Sequence, residues 1–294
     1  MMNERATTKS ECAEKGYHKS SLIKGTGSRL STGPRGTKPS GTQEWAVRSV
    51  NCCTGCSHDC LYCYARGMAV RFHQVELEQW KHEDIRWKDV RRTYKYKEGT
   101  TMFPSSHDIT PKNLFACLIV LRKLLRTGSR VLIVSKPHLE CIKAICRIFT
   151  EYKKQILFRF TIGASDNEIL SIWEPNAPGY EERKEALKYA FDRGYETSVS
   201  VEPMLDSEHI MDLVKDLLPL VTNALWIGKM NHTRNIRAEN EIVARELDRI
   251  VEGQSDEKIT AIYDKLKANP KIKWKSHIKK VVGIPLSEKP GMDI

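Results

Sequence analysis

The chain has 294 residues, 40% of them hydrophobic and 29% charged, with a formal net charge of +11. That length can bury one large core or two smaller ones, and the composition excludes fibrous and low-complexity classes. No apolar run approaches the roughly 20 residues that a membrane helix needs, and "MMNERATTKSECAEKGYHKS" at the start lacks the apolar stretch of an export signal.

Residues 1–44 are rich in Gly, Ser, Thr, Lys and Pro and carry eight Lys/Arg against four acids, which reads as a flexible basic arm. A folded region is expected over 45–282, with a short tail over 283–294. Within it, β-prone apolar runs recur at 45–50 ("WAVRSV"), 99–103 ("GTTMF"), 131–135 ("VLIVS"), 156–163 ("ILFRFTIG"), 197–202 ("TSVSVE") and 224–228 ("ALWIG"). Helical spacing fills the intervals: 111–128 begins with Pro and ends with Gly, and 181–194 begins with acids and ends with Gly. The stretch from Ser207, the expected N-cap, to Leu218 is a third helix and 240–250 a fourth. Cys141 and Cys146 have the spacing of core positions on another helix.

Strand–helix alternation repeated six times implies parallel strands joined by crossover helices. The runs are continuously apolar, as strands covered on both faces should be. No Gly-rich dinucleotide fingerprint follows the first strand, which favours a (β/α)6 partial TIM barrel with outer helices over a doubly wound sheet. Functional groups then belong just past the strand carboxyl ends.

Two further segments are basic. The stretch 86–97, "RWKDVRRTYKYK", carries six Lys/Arg against one acid, with Trp87, Tyr94 and Tyr96 interleaved. Residues 265–294 carry eight against two. Basic residues alternating with aromatics suit a polyanion whose bases stack, although any such run also reads as a solvated face.

The chemistry concentrates in "NCCTGCSHDCLYCYAR", residues 51–66, which holds five of the nine cysteines. An odd cysteine number without an export signal argues for a reducing compartment, read as cytoplasmic. Cys56, Cys60 and Cys63 are spaced C-x3-C-x2-C directly after the first strand. Three thiolates on a short loop can hold three irons of a [4Fe–4S] cluster and leave the fourth open. With Cys53 the pattern also allows a tight four-thiolate zinc site, and buried packing thiols are the third reading. Cys52 and Cys53 read as packing residues beside the loop.

C-x3-C-x2-C with Tyr62 before the last cysteine resembles the radical S-adenosylmethionine (radical SAM) superfamily, and "TGCSHDCLYCYAR" resembles its spore photoproduct lyase-like branch, over about residues 45–282. The resemblance implies a partial barrel, a [4Fe–4S] cluster on Cys56, Cys60 and Cys63, and S-adenosyl-L-methionine as cosubstrate, cleaved reductively to a radical that abstracts hydrogen from a substrate. It also implies SAM contacts from Tyr62, from Ser105 and Ser106 (with His107 beside them), from Lys136 facing the carboxylate, and from Thr161, with Ser165 nearby. Glu202, Lys229 and Asn231 at the last strand ends would bind ribose, orient substrate or pair with each other. Residues 271–285 resemble the family's closing segment, with Ile272, Trp274, Ile278 and Val281 packing inward.

One departure is plain. Spore photoproduct lyases carry a hydrogen-donating cysteine at the end of the second strand, where this chain reads Phe103-Pro104-Ser105, and Cys117 lies too far into the next helix to replace it. Thymine-dimer repair is therefore not carried over, and no catalytic residue is assigned. The expectation is a monomeric radical SAM enzyme, served by a low-potential donor such as a flavodoxin or ferredoxin, acting on a nucleic acid or nucleotide. The alternatives are the same chemistry on a peptide or small metabolite, and a zinc-stabilised nucleic-acid-binding module without catalysis.

Overall fold

The computed structural model describes residues 38–293. In chain order these form β1 (Arg48–Ser49), β2 (Cys53–Thr54), α1 (Tyr64–Arg71), β3 (Asp84–Ile85), α2 (Trp87–Arg91), β4 (Thr100–Met102), α3 (Leu114–Arg126), β5 (Arg130–Ser135), α4 (Leu139–Ile148) and β6 (Ile156–Thr161). There follow α5 (Asn167–Trp173), α6 (Tyr180–Asp192), β7 (Glu196–Val201), α7 (Ile210–Leu217), β8 (Leu225–Ile227), α8 (Glu241–Gly253), α9 (Asp256–Leu266), β9 (Ile272–Trp274) and α10 (Ser276–Val282).

Seven strands make one parallel sheet in the order β1-β4-β5-β6-β7-β8-β9. Every step moves one place in the same direction, whereas a doubly wound sheet reverses midway. Right-handed crossovers then place the connecting helices on a single face, and the sheet is a partial barrel. All six expected strands are present. The sheet has a seventh, β9, within the stretch read as a closing segment. β2 and β3 form a separate antiparallel ladder, Cys53 opposite Ile85, beside the cysteine loop.

Side chains alternate across each strand and separate two cores. The outward set, including Ile133, Phe158, Phe160 and Val199, packs with helix residues such as Leu121, Ile145 and Leu187. The inward set is smaller, with Met102, Leu132, Leu157 and Trp226 around Trp45. Arg159 also faces inward and is fully buried. Its guanidinium lies 4.5 Å from the Trp45 ring and 5.3 Å from that of Trp226, and its Nε donates to Ser198 Oγ at 2.9 Å. Two aromatic faces thus replace part of the lost hydration of the cation.

The edge strands β1 and β9 each pair on one side only. The chain crosses the gap between them with Gly41–Glu44, a 3-10 turn, and Trp45. Lys275, fully buried, contacts Glu44 Oε1 at 3.1 Å and Gly41 O at 3.0 Å, with its ammonium 3.9 Å from the Trp45 ring centre. Glu44 Oε2 accepts from Ser276 N at 3.0 Å, at the start of α10. Residues 1–37 of the expected arm lie outside the described residues. Its last part is packed rather than flexible, because the buried Glu44 carboxylate is needed by Lys275. The tail returns to the same place: Gly291 N donates to Gln43 O and Asp293 N to Glu44 O.

Ser207 does not cap α7. His209 holds the N-cap position, and Asp206 Oδ1 accepts from Glu208 N and His209 N, because a carboxylate one residue earlier reaches both. Asn240 caps α8 by accepting from Val243 N.

Candidate functional site

The site lies at the carboxyl ends of the strands. After β2, Gly55 turns the chain with φ +84, where a Cβ would sit 2.1 Å from His82 O, so only glycine fits. Cys56 N donates to Trp80 O, and Ser57 donates through N and Oγ to Glu83. Glu83 is itself held by Thr110 and Asn113. Leu61 N donates to Trp173 O, and Cys63 caps α1 by accepting from Arg66 N. The loop that carries the three cysteines is therefore anchored at both ends by groups on other elements.

Cys56 and Cys60 are buried and Cys63 is partly buried. Burial pushes all three thiols up, Cys60 to about 12, because a thiolate loses its hydration there. Cys53 points elsewhere: its thiol donates to Thr54 O and Gly55 O. Cys52 Sγ lies 3.8 Å from Cys117 Sγ, and Cys117 donates to Asn113 Oδ1. Cys52 and Cys53 both sit in the packed interior, as do Cys141 and Cys146 on α4.

Asp108, past the end of β4, belongs to no sequence motif and is the hub of the site. Its Oδ1 accepts from Ser135 Oγ at 3.0 Å and Lys136 N at 2.8 Å. Its Oδ2 lies 2.9 Å from His58 Nδ1, 3.5 Å from Lys136 Nζ and 3.8 Å from Cys56 Sγ. Burial alone would raise the Asp108 carboxyl; the Lys136 ammonium and the His58 contact outweigh it and hold it well below the usual range. Burial would likewise lower Lys136, but Asp108 outweighs it and keeps the amine charged. His58, fully buried within the cysteine motif, reaches on through Nε2 to His138 Nε2 at 2.9 Å.

The remaining expected residues fall around this hub. Tyr62 lies with its ring centre 5.7 Å from Lys136 Nζ and its hydroxyl on Glu174, which pairs with Arg183 at 2.5 Å in full burial. Arg183 Nη1 also donates to Thr161 O. Thr161 shares the inward face of β6 with Leu157 and Arg159, while Ser165 is partly exposed beyond the strand end. Ser105 N and Ser106 N both donate to Asn51 Oδ1, and Asn51 Nδ2 donates to Ser105 Oγ, so one side chain from the end of β1 shapes the β4 tip. The Tyr64 hydroxyl donates to Ser105 O.

His107 faces away from a ligand role: it sits buried with Nε2 on Cys52 N and Nδ1 on Asp108 O. Glu202 pairs with Lys275 at 3.4 Å and Lys229 with Asp256 at 3.4 Å, so the two strand-end ions do not pair with each other. Gly228 makes room for the first of these pairs, since a Cβ there would lie within 2.9 Å of both side chains.

The segment 86–97 leaves the site. Arg86 N is bonded to Cys52 O near the strand carboxyl ends, whereas Lys95 O accepts from Arg48 at the amino end of β1. The basic-aromatic stretch is the descending part of the crossover into β4. Trp87 and Tyr96 are exposed on it. Among the described residues, no helix is long and apolar enough to cross a membrane.

No protein-family model matches the chain. It is 26% identical over 214 residues to the uncharacterized protein ORF301 of Acidianus two-tailed virus, covering 66% of this chain and 69% of that one. Among solved structures it is similar to a variant of spore photoproduct lyase with bound AdoMet and dinucleoside spore photoproduct, at 13% identity, 77% coverage of this chain, 75% of the other and a TM-score of 0.49. It is also similar to SuiB of Streptococcus suis bound to its precursor peptide SuiA, at 13% identity, 83% and 54% coverage and a TM-score of 0.49.

Proposed function

We propose that this chain is a radical SAM enzyme. The observation that carries the reading is the C-x3-C-x2-C loop anchored at the carboxyl ends of a singly wound parallel sheet, beside the partly buried Lys136. The donor set fits a [4Fe–4S] cluster. Three free thiols share one short loop, and burial keeps them protonated until a metal takes the proton's place. Cys56, Cys60 and Cys63 would hold the cluster. When bound, it supplies the electron that cleaves SAM and thereby yields the radical that takes hydrogen from substrate.

The chain's own residues do the positioning. Lys136 presents a fixed positive charge for the SAM carboxylate, with Tyr62 beside it. Asn51 holds the backbone N–H groups of Ser105 and Ser106 at the β4 tip, where their hydroxyls would be offered to SAM. Thr161 ends β6 with Ser165 just beyond it, and Glu202 keeps a partly exposed edge next to Lys275. The packed inner core beneath these groups excludes water from the reacting end.

The test is anaerobic reconstitution. The protein should become brown, bind about four irons per chain, and release 5′-deoxyadenosine from SAM when reduced with dithionite. A colourless protein that holds one zinc per chain on its cysteines would replace this reading with that of a zinc-stabilised module.

For the substrate, the exposed Trp87 and Tyr96 on a basic segment favour a nucleic acid or nucleotide over a peptide or small metabolite. The contact would lie along the outer wall of the barrel and guide the strand toward the mouth. A monomer served by a flavodoxin- or ferredoxin-like donor completes the proposal.

A further inference from the structure

We propose that Cys56, His58 and Asp108 form a mononuclear site for a divalent cation, with zinc the best fit, occupied when the cluster is absent. Its three donors are in place whether or not the chain is able to assemble a cluster, and it differs from the cysteine-only zinc module in two of its three ligands.

Sγ of Cys56, a ring nitrogen of His58 and a carboxylate oxygen of Asp108 all lie within 4.8 Å of one another, and all three residues are buried. Asp108 Oδ2 is 3.8 Å from the sulfur and 2.9 Å from His58 Nδ1. Zinc bonds of about 2.0–2.3 Å at tetrahedral angles place neighbouring ligand atoms roughly 3–4 Å apart. The three donors therefore need only small shifts to enclose one ion, and the mixed S, N, O set is one that zinc accepts.

An independent observation is the outer shell. A metal-bound histidine gives its other ring N–H to an acceptor, which fixes its tautomer. His58 turns Nδ1 to Asp108 and has His138 Nε2 only 2.9 Å from its Nε2. His138 Nδ1 in turn lies 3.9 Å from Glu182 Oε1. Asp108 is held similarly, with Oδ1 occupied by Ser135 and Lys136 N, while Oδ2 is turned toward His58, the Lys136 ammonium and Cys56.

Binding would release the Cys56 proton, and the Lys136 ammonium, now facing a cation, would move toward the Tyr62 ring. Because Cys56 serves both centres, zinc and cluster exclude each other. The ion would occupy the first thiol of the motif in protein that has not yet received iron.

The experiment uses full-length, cluster-free protein prepared anaerobically with chelator and reductant, titrated with zinc against a chromophoric indicator and in parallel with cobalt(II). One ion should bind per chain, and the cobalt form should show tetrahedral visible bands with thiolate charge transfer. His58→Ala and Asp108→Ala should each abolish stoichiometric binding. The Cys60→Ala/Cys63→Ala variant should retain it, although it can no longer assemble a cluster. His138→Ala should weaken zinc about 10- to 100-fold. Melting of each metal-free variant checks that it is folded, and His58→Gln replaces His58→Ala if the latter is not. Binding that needs Cys60 and Cys63 but not His58 and Asp108 would overturn the proposal. So would a dissociation constant for the parent protein weaker than about 1 µM.

Discussion

Lys136 pairs with Asp108 and, in the proposed enzyme, would also face the SAM carboxylate; the two roles can be separated by mutation. Lys136→Ala removes the charge proposed to face the SAM carboxylate and should then weaken SAM by about 1.5–3 kcal/mol, tenfold to over a hundredfold in dissociation constant. It also takes from buried Asp108 the ammonium that offsets its charge, leaving the His58 contact and the hydrogen bonds from Ser135 and the backbone, and should cost up to about 3–5 kcal/mol of stability. Adding Asp108→Asn should restore much of the melting temperature and none of the SAM affinity. If both recover together, Lys136 acts on SAM only through the fold. Acid should expose the same pair. The Asp108 carboxyl is held well below its ordinary value of 3.8, so its stabilisation is fully present above pH 3.8 and is lost as pH falls through the lower folded value. The melting-temperature gap between the parent and Asp108→Asn, measured on cluster-free protein, should be constant from neutral pH to about pH 4 and shrink below it. A gap that closes already at pH 5–6 would mean that the carboxylate is not held by Lys136. Replacing Cys56, Cys60 and Cys63 together by Ala should abolish iron–sulfur loading, whereas Cys53→Ala should leave iron content unchanged, because the Cys53 thiol is spent on its own backbone. Loss of iron in the single variant would indicate a four-thiolate site.

Elements differed in how plainly the sequence announced them. β5, β6 and β7 are six-residue runs covered on both faces, and such runs stand out against charged helix surfaces. β9 is three residues with a burial pattern of buried, exposed, buried, and Lys273 in its centre hid it among the tail lysines. The cysteine loop was legible because thiol spacing is rare and local. Its supports were not: Glu83, Asp108 and Glu174 act on the loop from 26, 50 and 112 residues away, and nothing in a carboxylate's immediate neighbours reports such a partner. Asp108 did carry one sign, an acid just past a barrel strand. Lys275 was hidden for the same reason as β9, since only the fold shows that this one lysine of the run points inward. Lys275→Met is the corresponding test. It should leave Glu44 buried without its partner and cost about 3–5 kcal/mol, read as a lower unfolding midpoint. Lys273→Met, one strand position from the same element and exposed, should change little. Equal effects would show that β9, not the ion pair, is what the lysines support.

At the scale of the whole molecule, the wall and the mouth of the barrel make separable predictions. If 86–97 tracks a phosphate backbone, oligonucleotide binding should fall steeply with salt, by a log–log slope of about −0.7 per contact for a single strand. Changing Arg91, Arg92, Lys95 and Lys97 to Ala should flatten the slope by up to about 3 units. Replacing Trp87 and Tyr96 should lower affinity with little change in slope, because stacking releases no counterions. Absence of salt-dependent binding near physiological ionic strength would leave the peptide or small-metabolite substrate as the better reading. The crossing of the barrel gap by Gly41–Trp45 has a consequence for biosynthesis. Ser276 and Glu44, joined by a hydrogen bond, are 232 residues apart, and Lys275 beside them supplies the charge that Glu44 needs. A ribosome delivers Trp45 and Glu44 early and their partners near the end. For most of translation the growing polypeptide therefore carries a Glu44 carboxylate whose folded partners do not yet exist, a state that ends only when β9 and α10 emerge.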